Sequence, residues 1–440
     1  MKEQEQPKQQ GNSFVTERIK ERPINRRKLL RRTIITAGMA VIFGLIACLT
    51  FLLLEPIFND WLYPKEEPEV IIIPEETEET LPQDMIIDEE TIRKQEEEAV
   101  IDQTIDNLLE EMELGIQDYR IMYDKIHQVV EEMAISMVTV TGVRQDVDWL
   151  NDTYENRGQA SGLIVADNGR ELLILTSGSI LDEAEEIHVT FFDGSEEVAA
   201  VKGQDSNTGL VVLAVEKEGL NAAVSGSVVP AVLGNSGGSG LIAEPVIALG
   251  NPLGNQFSAL YGMITSTGTH LSMIDSNYTL LTTDIYGSTQ AQGILIDLSG
   301  SVLGIIHQEY NSEDTANLIS AIGITELKKV LERMVNGRSE LFLGVYGTDV
   351  SEEAHLTLGV PKGAYITGIV MDSPARNEGI QSGDVIVRMG ETEITGFRDL
   401  TTAIGESRPG VPREIVLMRQ GQQEYREVSL QITPEERVWE

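Results

Sequence analysis

From about Ile126 to Arg333 the chain is built of short β-rich runs separated by glycine-rich turns: ISMVTVTG, ASGLIVAD, ELLILTS, EEIHVTFFDG, GLVVLAVE, EPVIALGNPLG, YGMITSTG and GILIDLSGSVLGII. Many short strands punctuated this way predict an all-β barrel or sandwich. The full length of 440 residues leaves room for two or three folded units. The fold class expected is mainly β.

The N-terminal part follows other rules. Arg18, Lys20, Arg22, Arg26, Arg27, Lys28, Arg31 and Arg32 precede an uncharged run, Thr33 to Leu54, TIITAGMAVIFGLIACLTFLLL. A run of that length crosses a hydrocarbon core of roughly 30 Å as a helix. The basic flank sets the N-terminus in the cytoplasm, and Trp61 and Tyr63 suit the outer interface. A cleaved signal peptide fits less well, because the apolar run is long and Leu54-Glu55-Pro56 offers no small-residue cleavage site. The expectation is a single-pass membrane anchor with the main domains outside the cytoplasm. Cys48, the one cysteine, lies within the apolar run, so the outer portion forms no disulfide. The net charge of −38 repels phosphate backbones, which argues against nucleic acid as a partner.

Lys65 to Asp88 is acidic and broken by Pro68, Pro74 and Pro82, the composition of a stalk, although Val70 to Ile73 could add as a strand to a neighbour. Beyond Glu89, Ile101, Ile105, Leu108, Met112, Tyr119, Tyr123, Ile126 and Val130 recur on one helical face that Gly115 can interrupt. One end of that helix is expected on the β domain and the rest in solvent; a coiled-coil stalk is the sharper alternative.

Particular strings carry a resemblance. SGLIV at Ser161, VTFFDGSEEVAAVKGQDSNTGLVVLAV, VIALGNPLG at Val246 and TDIYGSTQAQGILIDLSGSVLGI from Thr283 to Ile305 resemble the corresponding stretches of the HtrA (DegP-like) proteases. FLGVYG at Phe342 and the stretch from Ser373 to Ile404 are similar to that family's PDZ domain. The resemblance implies a double six-stranded barrel of the trypsin type followed by a PDZ domain. The expected division is a basic tail 1–32, membrane helix 33–54, acidic stalk 55–88, helical linker 89–125, trypsin-like domain 126–337, PDZ domain 340–432 and a tail 433–440.

A trypsin-like site needs a serine nucleophile, a histidine base, an aspartate that orients it, and backbone donors for the oxyanion. Aligned on the family, the histidine position falls on Ser179 in LTSGSIL, the aspartate position on Gly209 in TGLVVL, and the nucleophile on Ala291. All three are substituted. The family's GNSGGP corresponds to Thr289-Gln290-Ala291-Gln292-Gly293-Ile294, so the oxyanion loop departs as well. Two serines remain as fallback nucleophiles: Ser236, within a GNSGG string that the alignment puts well before the nucleophile, and Ser288, three residues upstream of Ala291. None of His127, His188, His270, His307 and His355 falls in the LTSGSIL stretch, and Lys202 and Lys217 are the lysines available for a serine-lysine dyad in the barrel's first half. No metal-binding motif and no cofactor site are expected.

In the PDZ part, backbone amides near Gly344, in the Phe342-Leu343-Gly344-Val345 loop, would cap a peptide's terminal carboxylate while the peptide adds as a strand. Leu400 and Ile404, one turn apart, either line the pocket for its last side chain or belong to the core. The function expected is a non-catalytic relative of the proteases that binds C-terminal or unfolded peptide segments of envelope proteins as scaffold, sensor or regulator. Its expected partners are a membrane, such peptides, further copies of itself (the family forms trimers) or an active protease relative. Two readings stay open beside it: an active endopeptidase with a non-standard site, and an oligomeric structural surface protein.

Overall fold

The computed structural model describes residues 39, 69–74, 115–147, 153–181, 184–238, 240–254, 257–422 and 424–437. Apart from residue 39, the expected membrane helix lies outside them, as do most of the acidic stalk and the linker before Gly115. Among the described residues no helix is long and apolar enough to cross a membrane. Residues 68–440 make one compact unit.

A helix, α1 (Ile116–Ala134), opens the described fold, and the Asp118 carboxylate accepts from the Gly115 amide at its start (2.9 Å). Its first turns expose Ile116, Tyr119, Met122 and Tyr123, whereas Ile126, Val129, Val130 and Met133 pack on the β domain. The linker therefore continues as helix past residue 125, and the β domain starts at Met137.

Strands β1 (Met137–Val147), β2 (Thr153–Asp167), β3 (Glu171–Ser177), β4 (Glu186–Thr190), β5 (Glu196–Val198), β6 (Ala200–Gln204) and β7 (Leu210–Glu216) pair in the order β5-β4-β1-β2-β3-β7-β6. The expected closed six-stranded barrel is thus a seven-stranded sheet. Its two edge strands are joined through the single residue Ala199, whose amide donates to Ile187 O (2.9 Å), so one strand bent at Ala199 curls the sheet round on itself. The second half closes fully: β8 (Pro245–Asn251), β9 (Ser258–Met273), β10 (Ser276–Tyr286), β11 (Gln292–Ile296), β12 (Val302–Ile306) and β13 (Leu318–Gly323) form a barrel in the order β10-β13-β12-β11-β8-β9.

Strand alternation explains how the halves adhere. In β3, Leu172 and Ile174 point into the first half's own core while Leu173 and Leu175 join a separate cluster with Ile247, Leu249, Ile294 and Ile305 of the second. Both faces of the strand are buried, which is why its sequence is a continuous apolar run. Helix α2 (Ile324–Val335) seals this seam with Leu327, Leu331 and Met334. Its ends are clasped from afar. Ser236 Oγ accepts the Thr325 amide (3.0 Å) at the start, and after the last turn the Asn336 side chain bonds both the amide and the carbonyl of Ile71 (3.2 and 2.9 Å). Val70 to Ile73 accordingly adds to no sheet; it lies along the seam with Ile73 buried in it.

The C-terminal domain holds β14 (Leu341–Phe342), β15 (Val345–Asp349), β16 (Ala364–Ile369), β17 (Val385–Met389), β18 (Thr392–Glu393), helix α3 (Phe397–Gly405), β19 (Arg413–Gln420), β20 (Tyr425–Ile432) and β21 (Glu435–Glu436). The main sheet runs β15-β16-β17-β19-β20, and α3 packs Phe397, Leu400, Ala403 and Ile404 onto it. The expected tail 433–440 is partly built in, since β21 pairs with β14 at the domain's entrance.

Candidate active-site cleft and peptide groove

A cleft of about 720 Å³ lies between the two β halves and is lined by Ser179, Gly209, Ala291, Gln290, Gln292 and His307 among others. The three positions aligned with the triad therefore line one cleft. Local bonds hold them there. The Gly178 amide donates to Gly209 O (2.7 Å), tying the turn that carries Ser179 to the loop that carries Gly209. A β-carbon on Gly178 would come within 2.6 Å of that carbonyl, so the position admits only glycine.

Ser179 is exposed, and its hydroxyl meets the hydroxyl of Ser177 (2.9 Å) rather than a base. Across the cleft the Ala291 amide, which in a working site would face the oxyanion, donates to Ser288 O (3.1 Å). The Gln290 amide donates to Ser288 Oγ (3.1 Å). Two of the loop's amides are thus satisfied within it.

Neither fallback serine lines the cleft. Ser236 is buried (2% exposed) against α2, so the GNSGG string is a helix clasp, and Ser288 is half-buried and holds its own loop. His307 is the cleft's histidine. Its Nε2 lies 3.2 Å from Thr208 O and its ring stacks on Tyr310 at 4.8 Å, while Nδ1 is buried without a partner. Burial holds its pKa below the usual histidine range, against the Thr208 bond and the charge of Glu309, so the ring is neutral at pH 7 with the proton on Nε2 facing the carbonyl. The lysines are engaged elsewhere, Lys202 with Glu171 (2.7 Å) and Lys217 with Asp167 (2.6 Å).

In the C-terminal domain the Leu343-Gly344-Val345 amides do converge on a carboxylate, and it is the chain's own. Asp275, in the turn between β9 and β10, accepts from Leu343 (2.7 Å), from Gly344 (3.0 and 2.9 Å to its two oxygens) and from Val345 (2.9 Å). Gly344 sits at φ +87, where a β-carbon would fall 2.2 Å from Ser373 Cβ, so only glycine allows this convergence. Leu400 and Ile404 are buried in the domain's core cluster. Phe342 is half-buried with the Arg437 guanidinium 5.8 Å above its ring.

Sequence reasoning missed Asp275, along with the network that joins the domains. Asp205, next to the Thr208-Gly209 loop, pairs with Arg333 (2.8 Å), and Glu340 accepts from Ser206 N (2.9 Å) and pairs with Arg437 (3.2 Å). The one signal was Asp275 itself, a residue type that tolerates its positive φ of +59 in a hairpin turn.

Two antiparallel β halves with a cleft at their seam, followed by a small α+β domain whose glycine loop gathers amides on a carboxylate, define a trypsin-fold domain joined to a PDZ domain. Residues 160–305 match the trypsin-like peptidase domain and residues 335–430 the PDZ domain. In this order of domains the chain is similar to HtrA/DegP-like proteases. It is 30% identical over 288 residues to a probable periplasmic serine endoprotease DegP-like of Pseudomonas savastanoi, covering 64% of this chain and 57% of that protein. It is 27% identical over 325 residues to the serine protease Do-like HtrB of Bacillus subtilis, covering 67% and 68%. The chain spans little more than half the length of the first of these relatives. Among solved structures, the HtrA-type protease AlgW with decapeptide shares the fold at a TM-score of 0.51 and 22% identity, over 72% of this chain and 99% of that one.

Proposed function

We propose that this chain is a non-catalytic HtrA-like protein that binds C-terminal or extended peptide segments of extracytoplasmic proteins through its PDZ domain, anchored to the membrane by residues 33–54. The observation that supports this reading is the cleft: Ser179, Gly209 and Ala291, the residues aligned with base, orienting acid and nucleophile, line one space, and the Ala291 amide is turned into its own loop. Without nucleophile or base a trypsin-like site loses on the order of 10⁶ in rate. The Leu343–Val345 amides supply the recognition half, because donors that hold one carboxylate suit another.

That the relatives are named proteases favours the second reading, an endopeptidase with a non-standard site. Fluorophosphonate labelling of the purified full-length chain, beside casein digestion and with an active family member as control, decides between them. The expected result is neither labelling nor cleavage. A mapped labelled serine, with turnover lost on its replacement by alanine, would overturn the proposal.

A further inference from the structure

We propose that the Asp275 hairpin tip is an internal competitor of the peptide: it occupies the PDZ carboxylate loop in cis, and a C-terminal peptide binds only by displacing it. This rests on the peptide-binding reading above.

The geometry is that of a bound ligand rather than a chance contact. Both oxygens of Asp275 are engaged, by the amides of Leu343, Gly344 and Val345 at 2.7 to 3.0 Å. One main-chain bond and one side-chain bond tie the same hairpin to the edge of β15. The Asp275 amide donates to Val345 O (2.8 Å), and the Asn277 side chain donates to Gly347 O (3.1 Å) further along β15. From the other wall, Thr401 Oγ1 of α3 donates to Asp275 O (2.7 Å). An incoming peptide needs the same loop, the same edge of β15 and the same helix, so peptide and hairpin exclude each other. Asp275 is 7% exposed, and its displacement frees the three amides that now donate to it.

The occupant belongs to the other domain. The tip joins β9 to β10, two strands of the closed barrel, and β10 runs through Thr283 and Asp284 into the loop that carries Ser288 and Ala291. The hairpin that fills the carboxylate loop is thus continuous with the strand that leads to the cleft.

The test is fluorescence anisotropy with the full-length chain in detergent, using a pool of fluorescein-labelled random decapeptides with a free C-terminal carboxylate and the same pool amidated. Asn accepts positive φ as readily as Asp but sets an NH2 group against amides that now donate to both oxygens, so Asp275→Asn keeps the turn while breaking the convergence; Asp275→Gly is the second variant. Both variants are expected to bind the free-carboxylate pool ~10-fold tighter than the wild-type chain, a usual size for such coupling. The amidated pool should gain nothing. Equal affinity of wild type and variants for the free-carboxylate pool would overturn the latch and leave peptide binding standing. An equal gain for the amidated pool would overturn it as well, since the loop would then not be reading a carboxylate. No binding by either folded variant would overturn both the latch and the peptide reading.

Discussion

The amide of Ala291 donates to the carbonyl of Ser288 at 3.1 Å, so the donor that should greet an oxyanion is spent within its own loop. Restoring the nucleophile alone is therefore futile. Ala291→Ser should give no fluorophosphonate adduct and no casein cleavage above background, because Ser179 offers no base and the hole lacks a donor. Labelling by mass spectrometry checks this, and an adduct on residue 291 would show that the loop opens in solution.

Ser236 separates the two meanings of the GNSGG string. Its hydroxyl accepts the Thr325 amide at 3.0 Å and its own amide donates to Thr325 Oγ1 at 2.7 Å. Ser236→Ala should lower stability by about 1 kcal/mol, the usual worth of a helix cap. Denaturant unfolding measures that loss. A catalytic role would instead leave stability unchanged and abolish a turnover.

What the sequence made legible was local or repeated. Ser179, Gly209 and Ala291, which line one cleft, each lie beside a buried strand whose apolar run can be aligned from sequence. The clasps were not legible, because each joins residues remote in the chain: Ile71 with Asn336, Ser206 with Glu340, Asp275 with Gly344. A carboxylate in a turn reads as solvated until its distant partner is known. Leu400 and Ile404 show a second limit, since helical spacing tells which residues share a face but not whether that face meets a core or a groove.

Asp384 is 1% exposed and bound by Arg419 through two parallel bonds of 2.7 Å, Nε to Oδ1 and Nη2 to Oδ2. Removing the guanidinium strands a buried carboxylate. Arg419→Ala should destabilise the PDZ domain by on the order of 3 kcal/mol, and Arg419→Lys by less, since an ammonium keeps the charge but not the fork. Thermal unfolding of the two variants tests the order as well as the size.

Asp275 sets a pH dependence whose sign is opposite to the intuitive one. Burial raises its pKa from 3.8 to about 6, against the lowering effect of the Gly344, Val345 and Leu343 amides and of Arg437. With the hairpin displaced, the carboxylate returns to water and to the lower value. Between the two values the closed state holds a proton that the open state has lost. The proton's contribution to closing is thus complete below about 3.8 and disappears as pH rises through about 6. Lowering the pH from 7.5 to 5 should therefore weaken binding of the free-carboxylate decapeptides by up to ~10-fold, as the latch tightens while the peptide's own carboxylate stays charged. His270 on β9, Asp349 on β15 and Glu326 on α2 also lie at this junction. They remain in Asp275→Asn, so a pH effect that persists in that variant belongs to them, and one that vanishes belongs to Asp275.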